Sequence, residues 1–151
     1  MSLSDSNFRD VVKNTPLVAI DLVITDPSGA VLMGWRENEP AKGTWFVPGG
    51  RIRKDEKIAD AFERIVRTET GLAKSLAESR FGGVYEHLYS TNCFADPGFG
   101  THYCVLANLL RFNERPRITI DSQHTKVEWL TPSSIGIHPF SRAYFDLLRL
   151  T

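Results

Sequence analysis

Residues 16–24 read Pro-Leu-Val-Ala-Ile-Asp-Leu-Val-Ile, an apolar and β-branched run broken by a single charge, Asp21. Such a run is a strand, and the Asp26-Pro27-Ser28-Gly29 turn signal behind it returns residues 30–36 as the second arm of a hairpin. A carboxylate inside an apolar strand is costly to bury unpaired, so Asp21 is expected to have a partner or a task. Residues 44–47 form a short strand stopped by Pro48-Gly49-Gly50. Residues 58–70 then switch to helical periodicity, with Gly71 as the C-terminal cap. Residues 81–89 and 102–112 are two longer strands separated by a loop over 90–100, a candidate lid. Residues 127–130 add a short strand, and 139–150 close the chain as an amphipathic helix. Strands and helices without regular βα alternation predict an α+β domain, a mixed sheet with helices on its faces.

At 151 residues the chain has the size of one domain, taken here as 1–151, with no repeat or low-complexity tract to divide it. Lysine plus arginine and aspartate plus glutamate both number 18, so no overall field favours nucleic acid or an anionic membrane. A polyanionic ligand would need a local cluster of cations. The two cysteines, Cys93 and Cys104, suit reduced thiols better than a disulfide scaffold or a zinc site. The N-terminus lacks the basic and apolar segments of a signal peptide, and no apolar run reaches the roughly 20 residues of a membrane span. The expectation is a cytoplasmic protein.

Ala59, Phe62, Ile65, Val66 and Glu69 fall near one stripe of a 3.6-residue period. Phe62, Ile65 and Val66 suit a buried face, whereas Glu69 either points toward the protein as a ligand or sits at the rim in solvent or beside an arginine. The glycine pair Gly49-Gly50 allows close backbone approach to a ligand. Glu56 and Arg64, eight residues apart, are spaced to tie the loop to the helix.

The stretch from Gly50 through Glu56, Arg64, Glu69, Gly71 and Leu72 resembles the Nudix box, G-x5-E-x7-R-E-U-x-E-E-x-G-U with U apolar, over 23 residues. The resemblance implies an α/β/α sandwich around a mixed sheet and Mg2+-dependent hydrolysis of nucleoside diphosphate derivatives. Two carboxylates of that box are missing: Ile65 and Thr68 stand in their places. Attack on phosphorus relies on concentrated negative charge to hold cations, so either catalysis is lost or the chemistry has moved. One branch of the family, the GDP-mannose mannosyl hydrolases, carries this same erosion. The chain is similar to it at Thr15-Pro16-Leu17-Val18, Asp21, Gly43-x-Trp45-Phe46-Val47-Pro48-Gly49-Gly50-Arg51, Thr101-His102-Tyr103, Gln123-His124 and Ser141-Arg142-Ala143-Tyr144-Phe145.

That resemblance implies hydrolysis of GDP-mannose, with GDP-glucose also admissible, to GDP and free sugar. Water would attack the anomeric carbon with inversion. His124 matches the general base, and its ordinary pKa near 6.5 suits that task. One Mg2+ per subunit would be held by the Gly49 carbonyl, Glu69 and Gln123, oxygen donors for a hard cation. Arg36, Arg51 and Arg64 match cations that offset charge on departing GDP, although Arg64 competes as the structural partner of Glu56. Asp21, His87 and Tyr103 match sugar and phosphate contacts, with ordinary strand side chains as the other reading of His87 and Tyr103. Ser2, Leu3 and Phe8 match residues that touch the nucleotide in a homodimeric enzyme; without that resemblance the N-terminus reads as frayed chain. Trp35, Trp45 and Trp129 read as core or interface, and His102 and His138 carry no assignment. Two alternatives stand beside this: a diphosphohydrolase attacking phosphorus, and a non-catalytic nucleotide-sugar binding module.

Overall fold

A computed structural model describes residues 3–119 and 126–150. The elements run α1 (Asp5–Asn14), β1 (Leu17–Thr25), β2 (Val31–Trp35), β3 (Trp45–Phe46), β4 (Gly49–Arg51), α2 (Ile58–Thr70), β5 (Arg80–Tyr89), β6 (Thr101–Arg111), β7 (Val127–Leu130), α3 (Pro139–Arg142) and α4 (Tyr144–Arg149). One mixed sheet orders its strands β3-β2-β1-β6-β5, with β4 paired to β1 and β7 to β2. β1 runs parallel to β6 from Leu17↔Tyr103 to Thr25↔Arg111 and antiparallel to β4 at Ala19↔Arg51 and Asp21↔Gly49.

β1 is buried on both faces, as a near-continuous apolar run should be. Ile20, Leu22 and Ile24 face α2 and pack with Ala61, Phe62, Ile65 and Val66. On the other side Val23, Met33, Ala107 and Leu109 pack with Tyr144 and Phe145. The result is two layers of helix around one sheet, the α+β sandwich the sequence predicts.

The helix stripe is rotated from the expected one. Ala61, Phe62, Ile65, Val66 and Thr70 are buried, as expected for Phe62, Ile65 and Val66, while Ala59 and Glu69 are exposed. Thr70 takes the inward place because its hydroxyl donates to Val66 O at 2.5 Å and so enters the core with its polar atom satisfied. The N-terminal segment forms a helix from Asp5 on. Ser4 caps α1 by accepting from Asn7 N at 3.2 Å, and Phe8, Val11 and Val12 lie at i, i+3 and i+4 on its inner side. The glycine pair is itself strand β4 rather than a loop junction, and the closing helix divides at Ala143, where Asp146 N bonds back only three residues to Ala143 O.

The loop between β4 and α2 is fixed by one ion pair. Arg64 grips Glu56 through Nε and Nη2, each at 2.8 Å, and Nη2 also donates to Arg51 O at 2.8 Å. The Glu56 carboxylate further accepts from Arg53 N at 3.0 Å, and the guanidinium holds its pKa down to about 2. A carboxylate whose pKa falls on folding stabilises above its ordinary range and loses that contribution as pH drops toward the folded value. Glu56→Gln is therefore expected to cost about 1–2 kcal/mol at pH 7. In urea unfolding series, the gap between variant and wild type should close as pH falls from about 4.5 toward 2.

Candidate active site

Gly49 and Gly50 set how near three elements come. A Cβ on Gly49 would lie 2.5 Å from Asp21 Oδ1 and 2.7 Å from Ile20 O, and one on Gly50 would lie 3.0 Å from Ile65 Cγ1. The missing side chains let β4 lie flush against β1 on one side and α2 on the other. Ile65 is buried at the position where the box places a carboxylate, and its methyl groups fill the space above Gly50. Thr68, the other departure, is exposed.

Beside this junction opens a cleft of about 170 Å3 whose lining includes Asp21, Arg36, Gly49, Arg51, His87 and Tyr103. Six predicted site residues from four strands and one loop thus meet in one place. Asp21 is 6% exposed, and Tyr144 donates to its Oδ2 at 2.6 Å. Burial pushes the Asp21 pKa up to about 7 against the opposing pull of the Tyr144 hydrogen bond and the Arg36 charge. His87 is 3% exposed, stacked on Phe140 at 4.4 Å between ring centres, and held down to about 4 by burial and by His138. It is therefore a neutral imidazole at pH 7, able to donate and accept but not to add positive charge.

The cleft's cations are Arg36 and Arg51, and neither has a carboxylate partner among the described residues. Arg36 Nη2 donates only to the Asn38 and Pro40 carbonyls, at 3.5 and 3.1 Å. The Arg51 guanidinium lies over the Phe8 ring at 4.3 Å. Arg64, by contrast, is outside the cleft lining and spends its charge on Glu56, which favours the structural of its two predicted roles.

Leu3 is exposed just ahead of α1. Ser2, Gln123 and His124 lie outside the described residues. Gly49 and Glu69 sit on the two elements packed together at Gly50 and Ile65, with Glu69 one helical turn past Ile65. Their oxygen donors fit a hard divalent cation. Among the described residues no three His, Cys, Asp or Glu side chains group to hold a metal, so Glu69 would be the one charged protein ligand there.

Several cleft residues escape a motif reading. Tyr89 and Phe46 line the wall, and His138 and Phe140 pack behind His87. The period-two alternation Tyr85, His87, Tyr89 is the signal that places these three on one face of β5. Phe46, His138 and Phe140 carry no such signal, because the 136–141 segment meets β3 only through tertiary contacts such as Trp45 N to Gly136 O at 2.9 Å.

Residues 15–150 match the NUDIX domain family. The chain belongs to the Nudix family. A relative named "Low-salt glycan biosynthesis protein Agl8", from Haloferax volcanii, is 38% identical over 146 residues, covering 97% of this chain and 90% of its own. Among solved structures, the MutT NUDIX hydrolase of Burkholderia pseudomallei superposes with a TM-score of 0.70 at 21% identity, covering 89% of this chain and 99% of its own. The NUDIX domain of Shewanella oneidensis NrtR, complexed with ADP ribose, gives 0.68 at 15% identity over 99% of this chain and 100% of its own. At these identities the two structures establish the Nudix fold. The sandwich and mixed sheet described above are that fold.

Within this Nudix site, the Tyr144–Asp21 bond is the contact that satisfies the buried carboxylate. Tyr144→Phe is expected to lower the unfolding free energy by about 1–2 kcal/mol, because the acceptor stays buried after its donor is lost. Thermal unfolding of the two proteins at one pH measures it.

Proposed function

We propose that this Nudix protein hydrolyses GDP-mannose or a closely related GDP-sugar to GDP and the free sugar, with water attacking the anomeric carbon. The observation that carries the reading is the pair of cleft arginines, Arg36 and Arg51, without carboxylate partners among the described residues, beside His87, Tyr89 and Tyr103. Two forked cations suit the two phosphates of a leaving diphosphate, and neutral donors and acceptors suit sugar hydroxyls. The name of the 38% identical relative, a glycan biosynthesis protein, agrees with a sugar-bearing substrate.

The carbon as the point of attack is supported by Ile65. A buried isoleucine packed on Gly50 leaves the helix with Glu69 alone where phosphorus attack relies on several carboxylates. Departure of a diphosphate from an anomeric carbon needs charge neutralisation on the leaving group and one base for water. Arg36 and Arg51 do the first in part. His124 takes the proton from water, and Asp21, held by Tyr144, with His87 and Tyr103 fixes the sugar. Mg2+, the kind of ion Nudix hydrolases use, would be held by the Gly49 carbonyl, Glu69 and Gln123, and supplies further neutralisation of the diphosphate. Leu3, Phe8 and Ser2 contact the nucleotide, and the active unit is a homodimer in the cytoplasm.

Hydrolysis in 18O-labelled water with mass analysis of both products tests this directly. Label in free mannose and none in GDP is expected; label in GMP or mannose 1-phosphate would move the attack to phosphorus, and absence of turnover on GDP-sugars would leave a binding module. His124→Gln is expected to reduce kcat by at least about 100-fold while leaving GDP affinity within a small factor, since a base acts in the transition state. Because only one of the three protein ligands is charged, Mg2+ should bind far more tightly with GDP present than alone. Calorimetric titrations with and without GDP check this, and equal affinities would remove the ligand assignment.

A further inference from the structure

Loop 90–100 is closed on itself by a buried asparagine. Asn92 is completely buried, and its amide closes the turn with four hydrogen bonds. Nδ2 donates to Asp96 O and Phe99 O, each at 2.9 Å, while Oδ1 accepts from Phe94 N at 3.0 Å and Asp96 N at 3.2 Å. At its base, Thr101 Oγ1 donates to Thr91 O at 2.7 Å. Thr91 Oγ1 in turn donates to Glu39 Oε2 at 2.6 Å, on the loop that carries Arg36.

From this loop a ladder of rings and guanidiniums runs into the cleft. Arg9 pairs with Asp96 and covers the Phe94 ring at 4.5 Å. Phe94 meets Phe8 edge to face, 5.8 Å between ring centres at 67°. Phe8 carries the Arg51 guanidinium at 4.3 Å on its ring. A guanidinium stacked by its face keeps its in-plane N–H groups free, and those are the groups that fork onto phosphate oxygens. A long side chain held in one rotamer also loses less entropy when it binds an anion.

We infer that Phe94 is a positioning residue that, through Phe8, holds the Arg51 guanidinium ready for the diphosphate of the nucleotide. The inference rests on the proposed nucleotide-sugar reading and extends it to Phe94 on loop 90–100 and Arg9 on α1, two residues to which that reading gives no ligand contact. Removing the ring of Phe94 frees Phe8 to rotate and Arg51 to leave it; a loss of affinity that passes through Arg51 disappears when Arg51 is absent, whereas one that passes through Phe8's own nucleotide contact persists.

A double-mutant cycle on GDP affinity, measured by calorimetry in Mg2+ buffer, tests it. Phe94→Leu is expected to weaken GDP binding about five-fold in the wild-type background and to have no further effect in Arg51→Ala. Phe94→Tyr keeps the ring and should keep the affinity. Arg9→Met leaves Phe94 in place but removes the cation above it, and should give a smaller loss that also disappears without Arg51. This variant carries the test if Phe94→Leu fails to fold. Losses of equal size in both backgrounds, or no loss in either, would overturn the inference while leaving the functional reading intact. A wild-type protein that binds no GDP would overturn the functional reading, and the inference with it.

Discussion

Everything in this site depends on how closely β4 approaches β1 and α2. The two glycines of β4 leave room for Asp21 on one side and Ile65 on the other, with hypothetical Cβ distances of 2.5 and 3.0 Å. That contact brings the helix bearing Glu69 against β4, whose three residues line the cleft. It also puts Asp21, the one charge in an otherwise apolar strand, at the cleft floor. Bulk at either glycine would separate the layers, and the cleft residues would no longer converge.

The charge distribution follows from which arginines are committed. Arg64 is anchored by Glu56 and holds the loop before α2, so its charge is neutralised within the scaffold. Arg36 and Arg51 are held by carbonyls and by a ring, contacts that fix geometry without cancelling charge. A chain with no formal net charge thus places two guanidiniums at one cleft. His87 stays neutral because burial outweighs its chance to ionise, so the floor remains suited to hydroxyl groups rather than anions.

The erosion of the helix motif has a packing explanation as well as a chemical one. Ile65 is part of the core shared by β1 and α2, alongside Phe62 and Val66. A carboxylate there would be buried against Gly50 and the apolar strand, at the cost that accompanies any uncompensated buried charge. The same helix keeps Glu69 on its exposed side. A helix organised in this way serves the fold first, and the metal role of Glu69 belongs to the proposed function.

The sequence alone determined the α+β class, the hairpin of β1 and β2, the helix with its Gly71 cap and the Glu56–Arg64 tie, because each rests on local periodicity, turn chemistry or short spacing. It also singled out Asp21, since one charge in an apolar strand demands a reason. The tertiary structure decided which side of the helix faces the sheet, with Thr70 buried and Glu69 exposed. It decided which of three arginines have no acidic partner among the described residues, because that depends on neighbours far apart in the chain. The aromatic wall of Phe46, Tyr89, His138 and Phe140, and the ladder from Asp96 to Arg51, likewise join segments separated by tens of residues. No spacing along the chain encodes such contacts; they exist only once the sheet has brought the strands into register.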